Sequence, residues 1–260
     1  MGAGETFRET VPETVPESCR DPATEAVPES PQATFKRSLG PASGSGIAPA
    51  NDDPSAAPFD HPIFSESVRR IRGWLGATGL DPAEQDLLER VIHSGGDLSL
   101  AADLHWSDGA CARGMAALAA GAVILTDTAM AAAAIQPMAR RTFANPVRSV
   151  LDWAPQRAPA GHTRTALGMA AALGEHPGAV VLVGSAPTAL EQLLELAQQG
   201  PSPALVIGMP VGFVGVAESK RHLAASGLAQ IRLDGSRGGA ALVAAAANAL
   251  LRRAWLDRPR

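Results

Sequence analysis

The 260-residue chain contains no tyrosine, two cysteines and only 4% aromatic residues. The missing tyrosine removes one common acid–base group. So few aromatics leave a core of Ala, Val, Leu and Ile, which suits helix-rich and α/β proteins. Cys19 and Cys111 stand far apart, one in the N-terminal tail and one in the body. That pattern excludes a disulfide framework and fits a reducing cytosol. The six histidines, His61, His93, His105, His162, His176 and His222, lack zinc-type spacing, so no metal site is expected. No Gly-x-Ser-x-Gly elbow is present, which removes the α/β-hydrolase triad.

Charge of one sign is also scarce. The net charge is −4, but residues 1–60 carry −6 and the remainder +2. The body therefore has no basic stripe for nucleic acid and no polybasic helix for a membrane surface. The longest apolar stretches, around residues 116–125 and 129–135, are broken by Gly121 and Asp127 and are too short to span a bilayer. The first residues show neither a positive n-region nor an apolar h-region, so a cytoplasmic protein without a secretory signal is expected.

What is present falls into two parts. Residues 1–60 repeat ETVPE at Glu9–Glu13 and Glu13–Glu17, then EAVPE at Glu25–Glu29. Frequent proline and little apolar surface predict a disordered, acidic tail. Residues 61–260 predict one α/β domain. Strands are expected at 122–126, 147–152, 179–184, 204–208 and 229–235, alternating with helices. Continuous apolar strands of this kind imply a mostly parallel sheet of about five strands with helices on both faces. In such sheets ligands sit outside the carboxyl ends of the strands. Helices are also expected over 63–75, 82–94 and 108–120, and from Asp127 to about Ile135. Asp81, Pro82 and Glu84 form a helix-start signature, with Gly95 as the stop.

Several short stretches could carry chemistry. On helix 82–94, Leu87, Leu88, Val91 and Ile92 share a stripe, and His93 falls opposite it beside Arg90. His93 is thus a helix-end cation or an acid–base group. In GHTRTALG (161–168) Thr163 is a candidate N-cap. Arg164 then occupies a first turn where the helix dipole disfavours a cation, so it forms a surface salt bridge or holds an anion. GSAPTALE (184–191), GMPVGFVGVAESK (208–220) and GSRGGA (235–240) are glycine loops that open helices, with Arg237 a further possible anion contact. None matches a dinucleotide or P-loop fingerprint. Asp127 is a simple N-cap or a cleft residue.

RVIHSGGD, GSAPTALEQLLEL, GMPVGFVGVAESK and GSRGGAALVAAAANAL, in this order between Ile63 and Leu250, resemble the precorrin-8X methylmutase family. The resemblance implies a homodimeric isomerase of cobalamin biosynthesis without a redox cofactor. Such an enzyme moves a methyl group from C-11 to C-12 of a corrinoid precursor to give hydrogenobyrinate or its cobalt counterpart. It places the catalytic histidine at His93 and substrate contacts at Ser67, Arg90 and Arg164. The chain departs from the family pattern at Phe64 (tyrosine), Trp74 (glutamate), Ser94-Gly95 (Ala-Cys) and His162 (asparagine). Two other readings stand beside it: a corrinoid carrier without catalysis, and a nucleotide-dependent enzyme built on the glycine loops.

Overall fold

The computed structural model describes residues 59–200 and 202–259. Most of the expected tail, residues 1–58, lies outside the described residues. Among the described residues no helix is long and apolar enough to cross a membrane.

The chain forms α1 (Pro62–Leu75), α2 (Pro82–Gly95), the short α3 (Leu100–Asp103), β1 (Leu104–Trp106), α4 (Ala110–Ala119), β2 (Ile124–Thr126) and α5 (Ala129–Arg141). It continues through β3 (Val147–Ser149), a single 3-10 turn, α6 (Arg164–Glu175), β4 (Val180–Val183), α7 (Pro187–Ala197), β5 (Leu205–Gly208), α8 (Val216–Ala225), β6 (Gln230–Leu233) and α9 (Ala240–Asp257). The sheet order is β1-β6-β5-β4-β2-β3, parallel except for β1. The five expected strands are all present. The sixth, β1, escaped the sequence reading because it is three residues long and follows a four-residue helix without any alternation of its own. It pairs antiparallel with β6 and closes that edge.

The helices divide between the two faces of the sheet. Leu125, Val181 and Val206 face α6, α7 and α8, packing with Met169, Leu193 and Leu223. Ile124, Val180, Leu182, Leu205 and Ile207 face the other layer of α2, α4, α5 and α9. Helix α9 is the centre of that layer and is buried along Leu242–Leu251 except for the half-buried Asn248. A helix apolar on all sides belongs inside a protein, and its alanines let α2, α4 and α5 pack around it closely.

Local signals explain most helix ends. Asp81 accepts from the Ala83 and Glu84 amides, and Glu84 reaches back to Asp81 N, so the capping box is complete. The stop of α2 lies one residue later than expected: Gly95 is helical and Gly96 adopts the left-handed cap conformation. Helix α5 passes Ile135 and continues through Pro137 to Arg141, held against α9 by Ala131, Ile135 and Ala139. Its cap is Thr128, whose hydroxyl accepts from Ala131 N.

Asp127 has another role. The chain steps from β2 outward to β3, then crosses back to β4 on the other side of β2, so the winding reverses between β2 and β4. Ligands commonly enter such a reversal point. Here Asp127, fully buried, places Oδ2 2.6 Å from Ser185 N and 2.8 Å from Ala186 N, at the start of α7. Its Oδ1 has no partner among the described residues. Burial pushes the carboxyl above its usual range, and the backbone amides oppose that shift. An acid whose folded pKa is raised destabilises the fold as pH climbs past its unfolded value. Asp127→Asn keeps an acceptor and removes the charge. Urea denaturation should therefore find it more stable than the parent at pH 7, with the difference shrinking as pH falls toward 3.8, the ordinary value for aspartate.

Candidate active site

The carboxyl end of α2 meets α1 side by side, and three of the four candidate site residues converge there. Leu87, Leu88, Val91 and Ile92 are buried at 0–3% exposure against the α9 layer, which turns His93 outward as its helical angle requires. The Ser67 hydroxyl of α1 lies 2.7 Å from His93 Nδ1. With Nδ1 held, Nε2 is the nitrogen left for a ligand. The Phe64 ring meets the imidazole edge-on, 5.0 Å between centroids and 88° between planes. The other partner of Phe64 is Arg90, whose guanidinium carbon lies 4.2 Å from the ring centroid. A cation over an aromatic face is worth about 0.5–2 kcal/mol, and it orients Arg90 without occupying its N–H donors. Among the described residues those donors make no hydrogen bond and no ion pair.

Phe64, Arg90 and His93 border a cavity of about 630 Å³. It runs along α5 and α9, past Met138, Arg141 and Asn248, and is closed at one end by residues 59–61. None of its lining residues belongs to a strand or to a strand–helix loop, so it lies beside the helical layer and not over the carboxyl ends of the strands. The closing segment is fixed from both sides. Asp60 pairs with Arg252, which also binds Asp86, while Arg141 donates to Phe59 O and lies 3.9 Å over the Phe59 ring. The buried amide oxygen of Asn248 has no partner among the described residues.

Electrostatics favour neutral histidine in the free protein. Partial burial and then the Arg90 guanidinium pull His93 below its ordinary value of 6.5. Burial likewise lowers Arg90 below the ordinary guanidinium value, with Asp60 opposing. A cavity with an unpaired guanidinium beside a neutral imidazole suits an anionic ligand. Such a ligand would cancel the Arg90 charge and so raise the proton affinity of His93.

Arg164 does not join this group. It opens α6 on the opposite face of the sheet, capped by Thr163, and its Nε donates to Pro155 O at 2.8 Å. The starts of α6, α7 and α8 instead border a second depression of about 780 Å³, through Thr163, Thr188 and Gly215. Glu191, Glu195 and Glu218 also line it, which disfavours an anion there. The expected anion contacts of the glycine loops are thus corrected. The amides of GSAPT already hold the Asp127 carboxylate. Arg237 is bound to Asp97, Ser99 and Asp103. Close backbone approach does occur, but to the chain itself: a Cβ on Gly238 would lie 2.0 Å from Met209 O.

The sequence reading missed Phe64 as a working part of the site, and also Asp60, Arg141 and Asn248. Phe64 was legible only as a departure from a tyrosine. The others carry no local signal, because long-range packing alone brings them to the cavity.

A family model described as CbiC, precorrin-8X methylmutase, matches residues 62–253. The chain belongs to the precorrin-8X methylmutase family. Membership makes it an isomerase of cobalamin biosynthesis. It is 44% identical to a precorrin-8X methylmutase of Pseudomonas aeruginosa, over 72% of this chain and 93% of the relative. It is 39% identical to a cobalt-precorrin-8 methylmutase of Synechocystis sp., over 77% and 99%. The crystal structure of precorrin-8X methylmutase from Thermus thermophilus superposes with a TM-score of 0.67 at 39% identity, covering 74% of this chain and 95% of that one. Phe64, Ser67, Arg90 and His93 lie inside the segment that the methylmutase family model matches.

Replacing Arg90 isolates its charge. Arg90→Gln should raise the titration midpoint of His93 toward 6.5, the ordinary histidine value, in NMR spectra of the imidazole. Burial, the larger cause, would keep the midpoint from reaching that value.

Proposed function

We propose that the chain migrates a methyl group from C-11 to C-12 of precorrin-8X to form hydrogenobyrinate, with His93 as hydrogen-bond donor and general acid to the ring. The convergence of Phe64, Arg90 and His93 on one cavity, with Ser67 holding His93 from behind, carries this reading. The substrate is a flat, largely apolar macrocycle rimmed by acetate and propionate groups. Arg90 has free donors for one rim carboxylate, and planar guanidinium–carboxylate pairing would fix the ring's orientation. That carboxylate offsets the charge that depresses His93, so the imidazole becomes a competent acid only when substrate is bound.

A methyl shift on a conjugated ring needs electron density drawn away from the carbon that gives up the methyl group. Proton donation from Nε2 to a ring nitrogen does this, and the proton returns as the product's conjugation is established. General acid help of this kind contributes about 10²–10⁴-fold, or about 3–5 kcal/mol of barrier. Ser67 holds the ring that donates. No redox cofactor enters the scheme.

The proposed enzyme works as a cytoplasmic homodimer. Arg164 lies across the sheet from the His93 cavity, so one chain gathers Arg90 but not Arg164 around a single corrinoid. A second copy presenting Arg164, whose side chain does not line the acidic depression, would supply the further carboxylate contact, and a macrocycle needs a broader enclosure than about 630 Å³ beside one helical layer.

The test is anaerobic mixing with metal-free precorrin-8X, followed by visible spectroscopy. Wild type should convert it to the hydrogenobyrinate spectrum, and His93→Ala should bind with a shifted spectrum while losing turnover by about 10²-fold or more. Full turnover by His93→Ala would remove His93 from the chemistry. Sedimentation velocity should give twice the chain mass; a monomer with full activity would refute the shared site.

A further inference from the structure

Two of the sequence motifs that the site does not use meet in one partly buried network with the segment that follows His93. Lys220, the last residue of GMPVGFVGVAESK, is 1% exposed. Its ammonium donates to Gly235 O at 2.8 Å and to Arg237 O at 2.6 Å, both in the GSRGGA loop. The Arg237 side chain then crosses to the segment that follows His93. Nη1 lies 2.7 Å from Asp97 Oδ2 and 2.7 Å from Ser99 Oγ, and Nη2 bonds Asp103. Asp97 Oδ1 in turn accepts from Ser99 N and Ser99 Oγ at 2.8 and 2.7 Å. The ladder continues where Asp234 N donates to Asp103 O at 2.8 Å.

This network borders the end of the helix that bears His93. Gly95 packs so tightly that a Cβ there would lie 2.4 Å from Leu100 Cδ1 and 3.5 Å from Leu242 Cδ2. Leu100 begins α3, the short helix that Arg237 pins at Asp103, and Leu242 sits in the first turn of α9. The GSRGGA loop runs straight into α9, whose Ala241, Ala244 and Asn248 line the His93 cavity. One loop is therefore tied by its carbonyls to α8, by its arginine to the α2 exit, and by the chain itself to the cavity wall.

We infer that Lys220 and Arg237 are positioning residues for His93, acting as a latch that fixes the exit of α2 against the start of α9. The latch rests on the reading of His93 as the acid, and deepens it. Lys220 is suited to the role because an ammonium on a long stem can reach two loop carbonyls from beneath the loop, where an aliphatic residue would leave both oxygens without a donor. Burial holds its pKa down to about 8, with Asp234 and Asp103 opposing. It bears a charge at neutral pH and completes the charge pattern of the two aspartates. Arg237 is suited because its planar fork reaches three acceptors at once, which a lysine cannot do. A misplacement of about 1 Å far from the chemistry can lower turnover by about 10²-fold.

Arg237→Gln and Lys220→Met test this, with three readouts: precorrin-8X turnover, hydrogenobyrinate affinity by spectral titration, and the His93 midpoint by NMR. Arg237 is partly exposed, so its variant should fold even if Lys220→Met does not. The expected result is turnover lowered by about 10- to 100-fold, affinity unchanged because Arg90 and the cavity persist, and a His93 midpoint moved toward 6.5 as the α2 exit loosens and the imidazole gains solvent. A folded Arg237→Gln with the parent's turnover and the parent's midpoint would overturn the inference. A moved midpoint in Arg237→Gln, together with full turnover in both Arg237→Gln and His93→Ala, would uphold the positioning and overturn the reading of His93 as the acid.

Discussion

The packing of α2 along α9 is the contact on which the site depends. Helix α9 is an alanine-rich rod with ten buried residues, so neighbouring helices approach it closely and lock to it without large side chains intervening. Leu87, Leu88, Val91 and Ile92 use that contact completely. Since 3.6 residues make a turn, committing those four positions to the interior leaves His93 on the outer side. Helix α1 then covers the outer side, which brings Ser67 and Phe64 to the imidazole. The geometry around His93 is thus a by-product of a hydrophobic stripe, and Arg90 lies in it because it is one turn from His93 on the same side.

The same structure turns several anion-friendly features inward. A parallel α/β sheet offers glycine loops and helix starts at its carboxyl edge, and the reversal between β2 and β4 is its natural ligand crevice. Here Asp127 occupies the donors at that crevice, and Asp97 and Asp103 occupy Arg237. Internal carboxylates have taken the places that phosphates hold in nucleotide-binding relatives of the architecture. Arg90, by contrast, makes no hydrogen bond or ion pair among the described residues and borders a cavity formed by helices and the segment before α1. This distribution argues against the nucleotide-dependent reading and is in keeping with a ligand that is wide, apolar and acidic at its edge.

Much of this was legible in the sequence. The five parallel strands were visible because strands buried on both faces are continuous apolar runs. Asp81, Pro82 and Glu84 announced α2 because a capping box is a local event involving residues three apart. The short edge strand β1 was not visible, since its three residues take their conformation from pairing with β6, more than 120 residues away. The end of α5 was misplaced for a related reason: Pro137 is a local signal to stop, and burial against α9 overrides it. The motifs pointed to His93, Arg90 and Ser67, which meet at the end of α2, and to Arg164, which lies on the far face of the sheet.

The sequence alone determined the family, the α/β class, five of the six strands and the outward turn of His93, because each depends on residues near one another in the chain or on a motif read whole. Only the tertiary structure decided which charged groups are spent internally. Asp127 and the GSAPT amides are nearly 60 residues apart, and Arg237 and Asp97 are 140 apart. Whether a cation or a helix start is free for a ligand depends on what folds against it, and no local pattern records that.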